Sequence, residues 1–262
     1  MTDKVYLGMP DNAAGDCIMF CDVVKFINSL CPDTNVCVVN PSEMLVTLLG
    51  ITGCTFMVEL HPGKDSYCPH VMYTRGEGQG TDNIIRSMYD CVRSSIPSLP
   101  ALPAKVSLCR CLLESAFKTP EEQYVIVPSF EPVKPQSRHK GNNYELMDTV
   151  VHILAANGIN VYELNTWSSH PKFYPDSKDI LYTRSFVDSA KILKNAALCI
   201  TYENGLMHWA CHNSGNVLCL FTSTSSSTDR NRVFYPNMSR FDVTHETTPI
   251  DICRSAVGLL RT

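Results

Sequence analysis

The sequence predicts an α/β protein made of two successive Rossmann-like halves. Three observations carry that expectation. Residues 4–39 read as strand, loop, helix, Pro-Asp turn, strand, which is a βαβ unit and therefore a parallel sheet. The same alternation restarts after Lys118-Thr119-Pro120-Glu121-Glu122. Near the end, the apolar strand Leu198–Tyr202 runs through the turn Glu203-Asn204-Gly205 into a helix. With 262 residues the chain has room for two domains of about 100–150 residues each. The boundaries fall at 1–118 and 119–262, and the last helix is free to pack back on the first half.

In order, Lys4–Met9 alternates and stops at Pro10, as a strand does. Residues 17–30 place Phe20, Val23, Val24, Ile27 and Leu30 on one helical face, with Asp16 positioned as an N-cap. Asn35–Val39 is the second strand, Met44–Leu49 a short helix and Thr55–Leu60 a third strand. Residues 61–80 read as loop, including Gly76-Glu77-Gly78-Gln79-Gly80. That run lacks the Lys-Ser/Thr of a phosphate loop, so it reads as a flexible loop. Helical spacing returns at 81–94, the prolines of 96–103 forbid regular structure, and 106–117 is expected to be helical.

In the second half, Gln123–Pro128 is a strand, 129–143 a polar loop, and 144–157 a helix ended by Gly158. Ile159–Leu164 is a strand and Ser185–Asn195 a helix. Leu198–Tyr202, Leu206–His212 and Val217–Phe221 follow as strand, helix and strand. Thr222–Asp229 is a Ser/Thr-rich loop. Thr248–Leu260 is a helix with Pro249 in its first turn.

Composition removes several classes of function. No apolar run approaches the ~20 residues of a membrane span, and the first residues lack the pattern of a signal peptide. A net charge of −4 argues against strong nonspecific nucleic-acid binding, although a local basic groove stays possible. The 13 cysteines form an odd set spread through apolar runs. That fits free thiols in a reducing, cytoplasmic setting. Cys109-Arg110-Cys111 is the tightest pair and has no second pair beside it, so no metal site is expected. The Asn237-Met238-Ser239 sequon is not expected to carry a sugar in that compartment.

Two places carry chemistry. Gly15 and Asp16 sit at the carboxyl end of the first strand, where open α/β sheets bind ligands. Asp16 either caps its helix or acts as a general base, and the roles are compatible. The turn Glu203-Asn204-Gly205-Leu206 opens a helix, so its N–H groups and the helix dipole favour an anion. His208, one turn on, reads from its position as a packed residue. Trp167 and Trp209 read as packing residues, and Arg230 and Arg232 as exposed or phosphate-binding.

Gly15-Asp16-Cys17-Ile18-Met19-Phe20, with the helix to Leu30-Cys31-Pro32-Asp33 and the strand Val36–Val39, resembles the N-terminal motif of the heptosyltransferases. These are glycosyltransferase family 9, with the GT-B fold. Phe186–Thr201, Glu203-Asn204-Gly205-Leu206-Met207-His208 and Val217–Phe221 are similar to that family's donor-binding segment. The two motifs bracket most of the chain in the right order, and residues 61–118 carry no match. Here Glu203 replaces the family's Asp, Asn204 its Ser/Thr, and Phe221-Thr222 its Phe-Gly. These departures bear on the donor more than on the fold.

The resemblance implies two Rossmann-like domains facing a central cleft, acceptor on the first and nucleotide-sugar on the second. It implies an inverting transfer with no metal and no cofactor, from a nucleoside-diphosphate sugar to a hydroxyl. The acceptor would be a glycan or lipid-linked saccharide, or alternatively a modified nucleic-acid base. Asp16 would be the base. The turn from Glu203 to Leu206, with His208, would hold the donor. In the loop after the strand at 123–128, Ser129 would lie near phosphate. Lys140, then Lys134 and Arg138, are the candidate cations there, unless that loop is simply solvated. Two rival readings remain: a non-catalytic nucleotide- or sugar-binding relative, and a dinucleotide oxidoreductase. No G-x-G-x-x-G follows the first strand to support the last.

Overall fold

The computed structural model describes residues 4–9, 13–60, 84–103, 106–129, 144–166, 172–221 and 235–261. The described residues form an α/β fold whose sheets are entirely parallel. They divide into two units, the first ending at Leu113 and the second beginning at Glu114.

The first unit holds β1 (Lys4–Gly8), α1 (Ala14–Leu30), β2 (Asn35–Val39), α2 (Glu43–Ile51), β3 (Met57–Glu59) and α3 (Ile84–Ser95). Its strands lie in the order β1-β2-β3, with Leu7 opposite Val38 and Cys37 opposite Met57. Helix α1 buries Phe20, Val23, Val24 and Ile27, the face its spacing predicts. It begins earlier than expected. Ala13 is the N-cap and makes no side-chain cap bond, so Asp16 is the third helical residue rather than the cap. A carboxylate there still meets the positive end of the helix. Helix α2 is capped by Ser42, whose hydroxyl accepts from Leu45 N–H at 3.2 Å.

The helix expected at 106–117 does not form. The backbone N–H groups there go elsewhere. Cys109 N–H donates to the buried Asp22 carboxylate at 2.7 Å, and Leu112 N–H to Ile51 C=O at 2.8 Å. Donors committed to other elements cannot build an i to i−4 ladder.

The second unit holds β4 (Tyr124–Pro128), α4 (Tyr144–Ala156), β5 (Asn160–Thr166), β6 (Asp179–Thr183), α5 (Phe186–Asn195), β7 (Leu198–Tyr202), α6 (Gly205–Asn213), β8 (Val217–Phe221), β9 (Met238–Asp242) and α7 (Pro249–Leu260). Strands β4, β7 and β8 are buried at every residue, as strands covered on both faces must be. Val125, Val127, Leu198 and Ile200 pack with Met147, Val150, Val151, Ile252 and Ala256, which belong to α4 and α7. On the other face the Tyr124 hydroxyl donates to Ile192 C=O of α5 at 2.7 Å.

The local signals for helix ends are realised. Gly158 has φ +76° just after α4, and Ser185 caps α5. Thr248 and Asp251 form a capping box on α7, with Pro249 at its start. The sheet order is β6-β5-β4-β7-β8-β9. Numbered within the unit this is 3-2-1-4-5-6, the doubly wound order of dinucleotide-binding folds.

Candidate functional site

In that order the topology reverses between β4 and β7. The chain leaves β4 toward one face of the sheet and leaves β7 toward the other, so a crevice opens at the strands' carboxyl ends. The pairing supports this. The β4–β7 register pairs Val125 with Leu198 and Ile126 with Cys199 and stops there, short of the carboxyl ends of both strands. The segments that emerge there are Ser129 after β4 and Glu203-Asn204-Gly205 after β7.

Asn204 is the N-cap of α6, in an extended conformation, and its Oδ1 accepts from Met207 N–H at 3.0 Å. Sequence reasoning assigns this residue to the donor, and its side-chain oxygen serves the helix. That cap leaves the N–H groups of Gly205 and Leu206 outside the helical ladder, at the positive end of the dipole. Both residues are partly exposed, as is Glu203. A helix N-terminus of this kind offers main-chain donors to an anion without a side chain to supply them.

His208 is buried, and its Nδ1 lies 2.6 Å from the Tyr235 hydroxyl. His212, the next turn on, is buried too, and its Nδ1 donates to His208 C=O at 2.6 Å. Both imidazoles meet the Tyr235 ring edge to face. His208 thus fastens α6 to the chain that returns into β9. Tyr235 is not legible in the sequence, because no local pattern links it to a residue 27 positions away. Trp209 packs, as expected. Its Nε1 donates to Ser189 Oγ at 3.1 Å, and its ring meets Phe186.

Ser129 is held from two sides. Its N–H donates to Leu164 C=O, and its hydroxyl donates to Glu163 Oε2 at 3.0 Å. Glu163 is completely buried in β5. It also accepts from Phe173 N–H at 3.0 Å and Tyr174 N–H at 2.8 Å, and Ser177 Oγ lies 2.8 Å from Oε1. Four donor groups surround this carboxylate, which explains how a charge sits inside the sheet. Glu163 ties the end of β4 to the connection between β5 and β6. A single buried Glu in a strand gives no motif to find it by.

Lys134, Arg138, Lys140, Trp167, Arg230, Arg232, the Gly76–Gly80 run and the Thr222–Asp229 loop lie outside the described residues. Among the described residues, Arg240 supplies a cation on β9. It pairs with Asp242 at 2.7 Å and lies over the Phe221 ring at 4.8 Å. Gly15 and Asp16 sit partly buried in the first turn of α1, just beyond β1. No disulfide forms among the described cysteines. Burial pushes the Cys199 thiol up to about 12, and Cys211 and Cys219 well above the ordinary thiol range. These groups are protonated packing residues rather than nucleophiles.

Neither a protein-family model nor a curated protein matches the sequence. Solved structures do match the fold. The E. coli heptosyltransferase WaaC with ADP is 10% identical, at a TM-score of 0.66, over 98% of this chain and 99% of that one. A glycosyltransferase family 9 protein from Veillonella parvula is 9% identical, at 0.67, over 99% and 97%. The iron-containing E. coli heptosyltransferase TibC, in complex with ADP-D-beta-D-heptose, is 15% identical at 0.64. This chain covers 64% of that one. The fold of this chain is therefore that of the heptosyltransferases, a GT-B-type α/β architecture.

Proposed function

We propose that this chain is an inverting glycosyltransferase that needs no metal. It moves a sugar from a nucleoside-diphosphate sugar to a hydroxyl acceptor. The observation that carries the proposal is the capped N-terminus of α6 at the switch point of a 3-2-1-4-5-6 sheet. That is where such sheets hold a nucleotide's phosphates. The heptosyltransferase fold over nearly the whole chain agrees with it.

In this reading the second unit binds the donor and the first binds the acceptor. The acceptor oxygen attacks the anomeric carbon as the bond to the diphosphate oxygen breaks. Asp16 takes the hydroxyl proton, and a single base suffices for one displacement. The Gly205 and Leu206 N–H groups receive the growing charge on the leaving diphosphate. Glu203 bonds a ribose or sugar hydroxyl. Ser129, held by Glu163, shapes the phosphate side, and Lys134, Arg138 or Lys140 brings the cation. His208 keeps the helix in place from the inside. The acceptor is a glycan or lipid-linked saccharide, with a modified nucleic-acid base as the alternative, and the reaction belongs to the cytoplasm.

A thermal-shift panel of ADP, GDP, UDP and their sugars, with and without EDTA, tests the donor half. One diphosphate at 100 times its Kd raises stability by about 2.7 kcal/mol, and EDTA leaves that shift unchanged. No shift with any of them removes the donor reading. Asp16→Ala tests the catalytic half. It is expected to keep the nucleotide shift and abolish transfer. Binding that persists while the wild type transfers nothing favours a non-catalytic relative, for which Glu203 and Asn204 in place of Asp and Ser/Thr are the argument.

A further inference from the structure

In the first unit, the proline segment that follows α3 lies on that helix much as a bound peptide would. Pro100 and Pro103 fix their own φ, and Leu99 and Leu102 each precede a proline, which steers residues 99–103 toward polyproline II geometry. Exposure follows the three-residue period of that helix. Leu99 and Leu102 are 3% and 8% exposed, while Pro100, Ala101 and Pro103 lie in the open. Helix α3 grips the main chain with Arg86, Tyr89 and Arg93, which share one face. Arg93 Nε donates to Leu99 C=O at 3.2 Å and the Tyr89 hydroxyl to Pro100 C=O at 2.9 Å. Arg86 donates to Leu102 C=O at 3.2 Å and to Pro103 C=O at 2.6 Å. Among the described residues, nothing donates to the Ala101 C=O between them.

Bracing α3 uses only the buried edge of the segment and its carbonyls. The open edge carries two prolines one polyproline turn apart, about 9 Å, with an acceptor between them. None of Pro100, Ala101 and Pro103 is charged, so the edge offers nothing to a phosphate or a metal ion. It suits a groove lined with aromatic rings. Such grooves take prolines at this spacing on their ring faces, and a Tyr or Trp donor can meet the carbonyl between. Because α3 already fixes the conformation, docking orders little that was free.

We propose that Pro100, Ala101 and Pro103 form a docking ridge for a partner protein that carries an aromatic-lined polyproline groove. With the leucine edge seated on α3, the partner reads the proline edge alone. The ridge uses none of the residues assigned to sugar transfer, so it is independent of that reading.

The test measures binding of the whole chain to a panel of purified, immobilised SH3, WW and EVH1 domains by biolayer interferometry. At least one domain is expected to bind, and Pro100→Ala and Pro103→Ala each to weaken it about tenfold. Ala101→Glu keeps both prolines and both leucines, and is expected to abolish binding while the melting temperature stays native. Pro97→Ala changes the turn before the ridge, where Leu99 N–H donates to Ile96 C=O at 2.9 Å, and should leave binding unchanged. A synthetic peptide with the sequence of residues 96–103 should bind about tenfold more weakly than the chain, since nothing holds it in shape. Binding by no domain of the panel overturns the proposal and leaves the segment as a brace for α3. An Ala101→Glu chain that binds like the wild type overturns it too. So does a peptide that binds more tightly than the chain, because the partner would then be reading the leucine edge that α3 covers.

Discussion

Glu163→Gln is the most informative single change in the second unit. The side chain keeps its size, so packing is preserved and the loss is electrostatic. In the wild type Oε1 accepts from Tyr174 N–H, with Ser177 Oγ alongside, and Oε2 accepts from Phe173 N–H and the Ser129 hydroxyl. An amide has one acceptor oxygen. Whichever way it is turned, its NH₂ group faces one backbone N–H. Ser129 and Ser177 can rotate their hydroxyls, and Ser177 already has Tyr174 C=O at 2.8 Å as a second acceptor. The backbone donor has no such freedom. Leaving it unsatisfied costs about 1–3 kcal/mol, and the bonds that remain lose their charge assistance. The sum is about 2–4 kcal/mol, or roughly 5–15 °C in Tm for a unit of this size.

Urea and thermal unfolding, monitored by far-UV circular dichroism, read this directly. A Ser129→Ala variant gives the control, because it removes one donor and should cost only about 1 kcal/mol. In the double variant the two effects should fall short of additivity, since both act on one carboxylate. A Glu163→Gln protein that melts within a degree of wild type refutes the argument. It would mean that the four donors find equally good partners without the charge.

Further outcomes follow from the same geometry. Asn204→Ala should lower stability by about 0.5–2 kcal/mol through loss of the α6 cap, whereas Asn204→Ser should fall within a few tenths; chemical denaturation of both checks this. Hydrogen bonds from Lys178 and Tyr162 hold the Glu122 carboxyl at about 2, below its ordinary 4.5. A depressed carboxyl contributes stability that is present above pH 4.5 and lost as pH falls toward 2, so Glu122→Gln should flatten the pH–stability curve in that window. Cys211 and Cys219, buried and protonated, should resist a thiol reagent at pH 8 in native protein and label fully in urea, as read by peptide mass spectrometry.

What the sequence reveals and what it hides have separate physical causes. Strands β4, β7 and β8 are visible as short apolar runs because both their faces are covered. Strands β6 and β9 are not. Each lies at an edge of the sheet, with exposed positions such as Tyr182 at 46% and charged ones such as Arg240 and Asp242, so neither an apolar run nor a turn signal marks them. Helix ends are legible where one residue sets the backbone, as Gly158 and Pro249 do. The start of α1 is misread because Asp16 suits a cap and a first-turn position equally, and only the backbone decides. The turn at Glu203-Asn204-Gly205 is legible since strand, Gly-containing turn and helix lie consecutively. Glu163 and Tyr235 are not, because what they touch comes from distant segments.

The short seam between β4 and β7 also bears on how the second unit assembles. Val125 and Leu198 meet across 73 residues of chain, whereas β4 with β5 and β7 with β8 are each joined through one intervening helix. Closing the longer loop costs more entropy before any contact returns it. The β4–β5–β6 and β7–β8–β9 halves should therefore gain order earlier than the seam. In native-state hydrogen exchange, the Ala197 amide, which donates to Tyr124 C=O across the seam, should open at lower free energy than the Cys199 amide, which donates to Asn216 C=O on the β8 side. The crevice at the strands' carboxyl ends would then be the last part of the sheet to form and the first to loosen.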